Sequence, residues 1–140
     1  LLAAAGVQRL GLDLGELEAR ELTPEEMLPA PGQGALAIET RAGDPVTACL
    51  KLLHDERVAS CVAAERSLLE MLGGGCHLPL GALAVEDPGG LRLQAVLGEI
   101  DDDATRAEIA RVGSVAQDSR TAARVCFEAL KLAMPRVVGG

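Results

Sequence analysis

An α+β fold is what the sequence predicts from residue 44 onward, on three observations. Apolar residues recur at helical spacing as far as Leu72, where the run Gly73-Gly74-Gly75 stops that period. Alternation at strand spacing replaces it, with the apolar segments joined by turn-forming stretches at 86–90 and 101–103 that favour antiparallel neighbours. A final helical pattern completes the order helix, helix, strand, strand, strand, helix. That order predicts a three-stranded antiparallel sheet with helices on one face.

Taken in order, residues 1 to 22 read as the tail of a helix ending near Gly11, followed by a short helix or turn. The opening Leu1-Leu2-Ala3-Ala4-Ala5 has neither an initiator Met nor a basic leader, so the chain reads as beginning inside a helix of something longer. Thr23-Pro24-Glu25-Glu26 is turn-like. Pro29, Pro31, Gly32 and Gly34 then precede Ala35-Leu36-Ala37-Ile38, a short apolar run with the signature of a buried strand. Asp44-Pro45 opens a helix striped by Val46, Cys49, Leu50 and Leu53, because a capping side chain precedes a proline in the first turn.

A second helix is predicted from Asp55 to Leu72. Its apolar face is Val58, Cys61, Val62, Leu68, Leu69 and Leu72, with Glu65-Arg66 in its middle. The strands follow at 78–85, at 91–98 and at 105–112. In the second, Leu91, Leu93, Ala95 and Leu97 alternate with Arg92, Gln94 and Gly98. The last helix runs from Ser119 to Met134, with Val125, Cys126, Ala129, Leu130 and Ala133 on one face and Pro135 ending it.

Composition narrows the function. With 140 residues and 49% apolar residues, the chain can build the core of one domain, or of one domain plus a piece of another. Phe127 is the sole aromatic residue, so no ring is available to stack nucleic-acid bases, and a net charge of -8 disfavours a polyanion partner. No apolar stretch is long enough to cross a bilayer. Cys49, Cys61, Cys76 and Cys126 form no CxxC pair and no zinc-like spacing, which points to free thiols in a reducing cytoplasm.

Three of those cysteines fall on apolar helical faces, where a thiol is a small core hydrophobe. Cys76 differs, because it follows three glycines in a loop between helix and strand, where its sulfur is either open to a ligand or an idle loop thiol. The preceding helix points its negative dipole end at this loop, which disfavours a thiolate, and adjacent His77 would point away in an extended segment. A Cys-His dyad is therefore a poor reading. Pro31-Gly32-Gln33-Gly34 is the second unusual spot: it can offer backbone N–H groups and an amide to a ligand, or serve only as a tight strand entry. It has neither Walker nor Rossmann spacing. Arg9 and Arg41 are candidate carboxylate binders, and His54 beside Asp55 and Glu56 reads as a solvated helix start rather than a metal site.

Four segments in this order complete the pattern: 5–11 (AGVQRLG), 28–39 (LPAPGQGALAIE), 64–66 (AER) and 74–81 (GGCHLPLG). Together they resemble the C-terminal part of the porphobilinogen deaminase (hydroxymethylbilane synthase) family, over residues 1 to about 130. The resemblance implies a monomeric cytoplasmic transferase of tetrapyrrole (haem) biosynthesis with three domains. Residues 1–23 would end α/β domain two, 24–43 would be the return strand and hinge of domain one, and 44–140 would be the C-terminal α+β domain.

Such an enzyme condenses four porphobilinogen molecules head to tail on a covalently bound dipyrromethane primer, losing ammonia, and releases hydroxymethylbilane. The resemblance implies that Cys76 carries the dipyrromethane through a thioether. Arg9 would bind acetate and propionate groups of cofactor or substrate, and Gly6, Gln33 and Gly34 would line the cofactor cleft. Gly73 stands where the family commonly has an acidic residue, and Pro31 where many members have Val. The catalytic aspartate and most of the substrate-binding cations would lie upstream, so no catalytic residue is assigned here and the segment is expected to be inactive alone. Its partners would be porphobilinogen, the growing pyrrole chain and the upstream domains, with no metal, nucleic acid or membrane. Two rivals remain: a non-catalytic family-derived binding domain with Cys76 unmodified, and a metal- or redox-responsive protein using Cys76 and His77.

Overall fold

A computed structural model describes residues 2–75, 77–100 and 107–138. Three strands, β1 (Leu80–Asp87), β2 (Gly90–Ile100) and β3 (Ala107–Ala116), form one antiparallel sheet in the order β1-β2-β3. Leu80 pairs with Leu97 and Leu93 with Ser114, so alternate residues of each strand share a face. Two long helices, α3 (Glu56–Met71) and α4 (Ser119–Ala133), pack on that face and on each other. The α+β architecture with helices on one side is thus the one the periodicity predicts.

The core forms where these layers meet. Leu68 of α3, Leu93 and Leu97 of β2, and Cys126 and Leu130 of α4 are fully buried, joined by Ala64, Ala82, Ala95, Ala122 and Ala123. Alanines at the contact let the helices lie close to the sheet, which suits a core almost without rings. A small polar network is satisfied inside it. The Ser114 hydroxyl donates to the Ala122 carbonyl at 2.9 Å, and the Cys126 thiol lies 3.4 Å from Ser114 Oγ and 3.6 Å from the Leu93 carbonyl. Burial pushes the Cys126 thiol pKa up, as expected of an inert core cysteine.

Both long helices start on aspartate caps. Asp55 accepts from the N–H groups of Arg57 and Val58, and Asp118 accepts from that of Thr121. Before α3 lie α1 (Ala4–Leu10), closed at Gly11 as its sequence predicts, and the short α2 (Val46–Leu50), which continues as a 3₁₀ turn (Lys51–Leu53).

Several expectations need correction. Ala35–Ile38 forms no strand: among the described residues nothing pairs with it, and Leu36 is 96% exposed. An apolar run becomes a buried strand only where a neighbouring ladder accepts it. The stripe on α2 is likewise uncovered, with Val46, Cys49 and Leu53 exposed. Val58 and Val125 turn to solvent, whereas Ala64, Ala122 and Ala123 hold the helix–sheet contacts. The last helix does end before Pro135, with Met134 as its C-cap, and the proline then opens a further turn, α5 (Pro135–Val138), since a first-turn position needs no N–H bond. The first strand begins two residues later than predicted and the third extends to Ala116; 105 and 106 lie outside the described residues.

Candidate functional site

The outer edge of β1 organises the site. The N–H groups of Ala82 and Ala84 find partners outside the sheet: Ala82 donates to the Pro29 carbonyl at 2.8 Å, and Ala84 donates to Glu65 Oε1 at 2.8 Å. Leu28, 6% exposed, packs beside Gly81 and anchors the incoming segment. From there the chain turns through Pro31-Gly32-Gln33-Gly34. Gly32 and Gly34 have φ of 74° and 87°, the left-handed region in which a side chain is strained. The turn is closed internally by the Gln33 side chain, whose Oε1 accepts from the Ala30 N–H at 3.0 Å.

Glu65 binds this turn to the domain. Its Oε2 accepts from the Gly32 N–H at 2.6 Å while Oε1 holds Ala84, and the residue is 6% exposed. The sequence marks it as one of two charged residues in the middle of a helix and as part of the 64–66 segment, and assigns it no role. A signal was present: Glu65 lies four residues after Cys61 and four before Leu69, on the face assigned as apolar. An acidic side chain there must find donors.

Beyond the turn opens a groove of about 500 Å³ between Gln33-Gly34-Ala35, the first half of α3 and the end of β1 at Val85 and Glu86. Asp55, Glu65 and Glu86 line it against one cation, Arg57, which lies 3.6 Å from Asp55 and 4.0 Å from Glu86. Cys61 also lines it; burial, then Glu65, Glu86 and Asp55, push its thiol pKa up, so it is no activated nucleophile.

The predicted site residues separate into groups. Gln33 and Gly34 share the turn and are exposed. Gly6 and Arg9 share α1, and no hydrogen bond or ion pair joins them to the turn among the described residues. Cys76 itself lies outside the described residues. Its neighbours Gly75 and His77 are exposed, and the Leu78 N–H donates to the Gly75 carbonyl at 3.1 Å. This loop leads through Pro79 into β1, so it and the docked Leu28-Pro29 segment meet the same end of that strand.

The turn leaves two hydrogen-bond donors open to an acceptor group. Gln33 Nε2 and the Gly34 N–H make no hydrogen bond among the described residues, and both sit on an exposed turn. The groove that Gln33 and Gly34 also line holds three carboxylates against one arginine, so an anion bound at these donors needs further cations. No helix among the described residues is long and apolar enough to cross a membrane.

Comparison with known proteins agrees with this layout. Residues 59–131 match the family model described as porphobilinogen deaminase, C-terminal domain, and residues 1–48 match porphobilinogen deaminase, dipyromethane cofactor binding domain. Among curated relatives, porphobilinogen deaminase of Xylella fastidiosa (strain 9a5c) is 45% identical over 111 residues, covering 78% of this chain and 36% of that protein. The Paraburkholderia phymatum enzyme of the same name is 47% identical over 104 residues, covering 74% and 31%. That of Sorangium cellulosum is 46% identical over 107 residues, covering 76% and 35%. The chain spans about a third of the length of these relatives. With its C-terminal-domain match lying over the sheet and the two long helices, and its cofactor-domain match over the segment that docks on β1, the chain belongs to the porphobilinogen deaminase family.

Proposed function

We propose that the chain is the C-terminal part of a transferase that condenses four porphobilinogen molecules into hydroxymethylbilane, and that Cys76 holds its dipyrromethane through a thioether. The observation that carries this reading is the pair of unengaged donors, Gln33 Nε2 and Gly34 N–H, on a turn bound to the strand that the Cys76 loop enters. Gln33 and Gly34 bind a pyrrole acetate or propionate there, and Arg9 supplies a planar, bidentate cation for another. Gly6 leaves its surroundings open, since a Cβ on it would meet nothing within 4 Å.

A dipyrromethane held by Cys76, with Gln33, Gly34 and Arg9 at its carboxylates, would supply a nucleophilic pyrrole α-carbon for condensation with porphobilinogen, ammonia being the leaving group. For Cys76 a soft, uncharged sulfur suffices, because a thioether needs no permanently activated thiolate. Residues 1–23 and 24–43 belong with two upstream α/β domains, and 44–140 form the C-terminal domain of a monomeric, cytoplasmic enzyme. The acidic balance of this segment, net charge -8, supports its being inactive alone, because a polycarboxylate needs cations from those other domains.

Intact-mass measurement of the full-length protein tests this. The expected result is a pyrrole-stainable covalent adduct that Cys76→Ser abolishes together with turnover. An unmodified protein that turns over porphobilinogen normally would overturn it, and an unmodified protein without turnover supports the non-catalytic binding domain instead.

A further inference from the structure

We infer that Glu65 is a positioning residue, fixing the Gly32–Gly34 turn so that Gln33 Nε2 and the Gly34 N–H face a ligand that Glu65 itself never touches. The identity of that ligand, a carboxylate-bearing pyrrole, rests on the reading given under Proposed function; the positioning does not.

The geometry is a two-point attachment. Pro29 is held by the Ala82 N–H and Gly32 by Glu65 Oε2, so the segment between them cannot pivot on β1. The Gln33–Ala30 bond closes the turn but is local, and does not orient it on the domain. Without Glu65 one anchor remains, at Pro29. Gly32 contributes little packing to replace the other: a Cβ there would come no closer than 3.8 Å to Arg66 Nε and 3.9 Å to Val62 Cγ1. The second oxygen of Glu65 is committed to Ala84, within a strand that cannot follow the turn outward. Glu65 therefore joins the turn to the sheet through 33 residues of separation on one side and 19 on the other.

Glu65→Gln separates this role from general stability. An amide has one acceptor oxygen, and the immobile Ala84 N–H claims it, leaving the Gly32 N–H opposed by an NH₂. In the 140-residue chain, followed by NMR, Gly32 amide exchange is expected to rise about tenfold in E65Q, the equivalent of one hydrogen bond, with β2 and α4 amides little changed. Porphobilinogen titrated into the full-length wild-type protein is expected to shift the Gln33 side-chain and Gly34 signals, and to bind full-length E65Q about tenfold more weakly. Unchanged Gly32 exchange in E65Q overturns the inference, and so does acceleration spread equally over β2 and α4. Faster exchange confined to the turn, with no porphobilinogen shift at Gln33 or Gly34 even in the wild type, upholds the positioning and overturns the ligand reading. Should E65Q not fold, the wild-type chain carries the test: Gly32 must exchange at least about tenfold more slowly than Gly34, whose N–H has no acceptor among the described residues, and equal rates overturn the inference.

Discussion

Leu28 lies directly against Gly81: a Cβ on Gly81 would sit 2.9 Å from Leu28 Cβ and 3.0 Å from its carbonyl oxygen. The approach of backbone to backbone is what allows the Pro29 carbonyl to reach the Ala82 N–H. Gly81→Ala is therefore expected to push Leu28 off β1 and to cost about 1–3 kcal/mol, the usual penalty of overpacking. Urea unfolding measures the loss, and limited proteolysis near residue 30 should report earlier cleavage than in the wild type.

The three glycines before Cys76 differ in what they tolerate. A Cβ on Gly74 would lie 2.5 Å from Leu78 Cδ2 and 3.0 Å from Leu78 Cβ, whereas one on Gly75 would meet nothing within 4 Å among the described residues. Gly74→Ala should destabilise the domain by about 1–3 kcal/mol, while Gly75→Ala should leave its midpoint of unfolding within experimental scatter. Equal effects of the two substitutions on thermal melts would contradict this packing. Gly75 is then the position at which a substitution tests the loop without disturbing the packing beneath it.

Acid should weaken the helix starts. Backbone N–H groups, of Val58 and Arg57 for Asp55 and of Thr121 for Asp118, hold both carboxyls below their usual pKa. A depressed folded pKa contributes stability that is present above the unfolded value, about 3.9, and lost as pH falls through the folded one. Asp118→Ala should lower stability at pH 7 but much less at pH 2, where the wild type has lost the same contribution. A pH series of denaturant melts with a constant gap between the two proteins would refute this.

Thiol chemistry should follow burial. Cys49 is exposed, Cys61 half-buried with its pKa pushed up, and Cys126 buried with its pKa also raised. An aromatic disulfide reagent at neutral pH should label Cys49 before Cys61, and Cys126 only on unfolding. Peptide mapping of the labelled C76S variant reads the order, and early labelling of Cys126 would contradict the core described here.

Truncating the centre of that core gives the largest expected effect. Leu130 is fully buried on α4, so Leu130→Ala should cost about 2–5 kcal/mol in urea unfolding.

Much of this architecture was legible in the sequence because one physical signal dominates it. The change from a 3.6-residue to a 2-residue period around Gly73–Gly75 marks where α3 stops and the sheet begins, and Asp55 and Asp118 announce their helices as caps. What failed depended on partners distant in sequence. Ala35–Ile38 has strand-like residues, but no described strand accepts it. Val58 and Val125 match the helical period as well as Ala64 and Ala122 do, and only the close approach of helix to sheet selects the smaller residues for the interior. At the site, the turn was visible from its glycines, but Glu65 became meaningful only once Gly32 and Ala84 stood at either end of its carboxylate.

The closed border of β1 also governs how the domain behaves in company. Ala82 and Ala84 present amides at the free edge that a foreign strand would use to extend the ladder, and Pro29 and Glu65 already occupy both. Release of residues 28–34 would therefore uncover the Ala82 amide while Glu65 still covers Ala84, so a helix carboxylate guards the sheet margin against self-association even when the docked segment lets go.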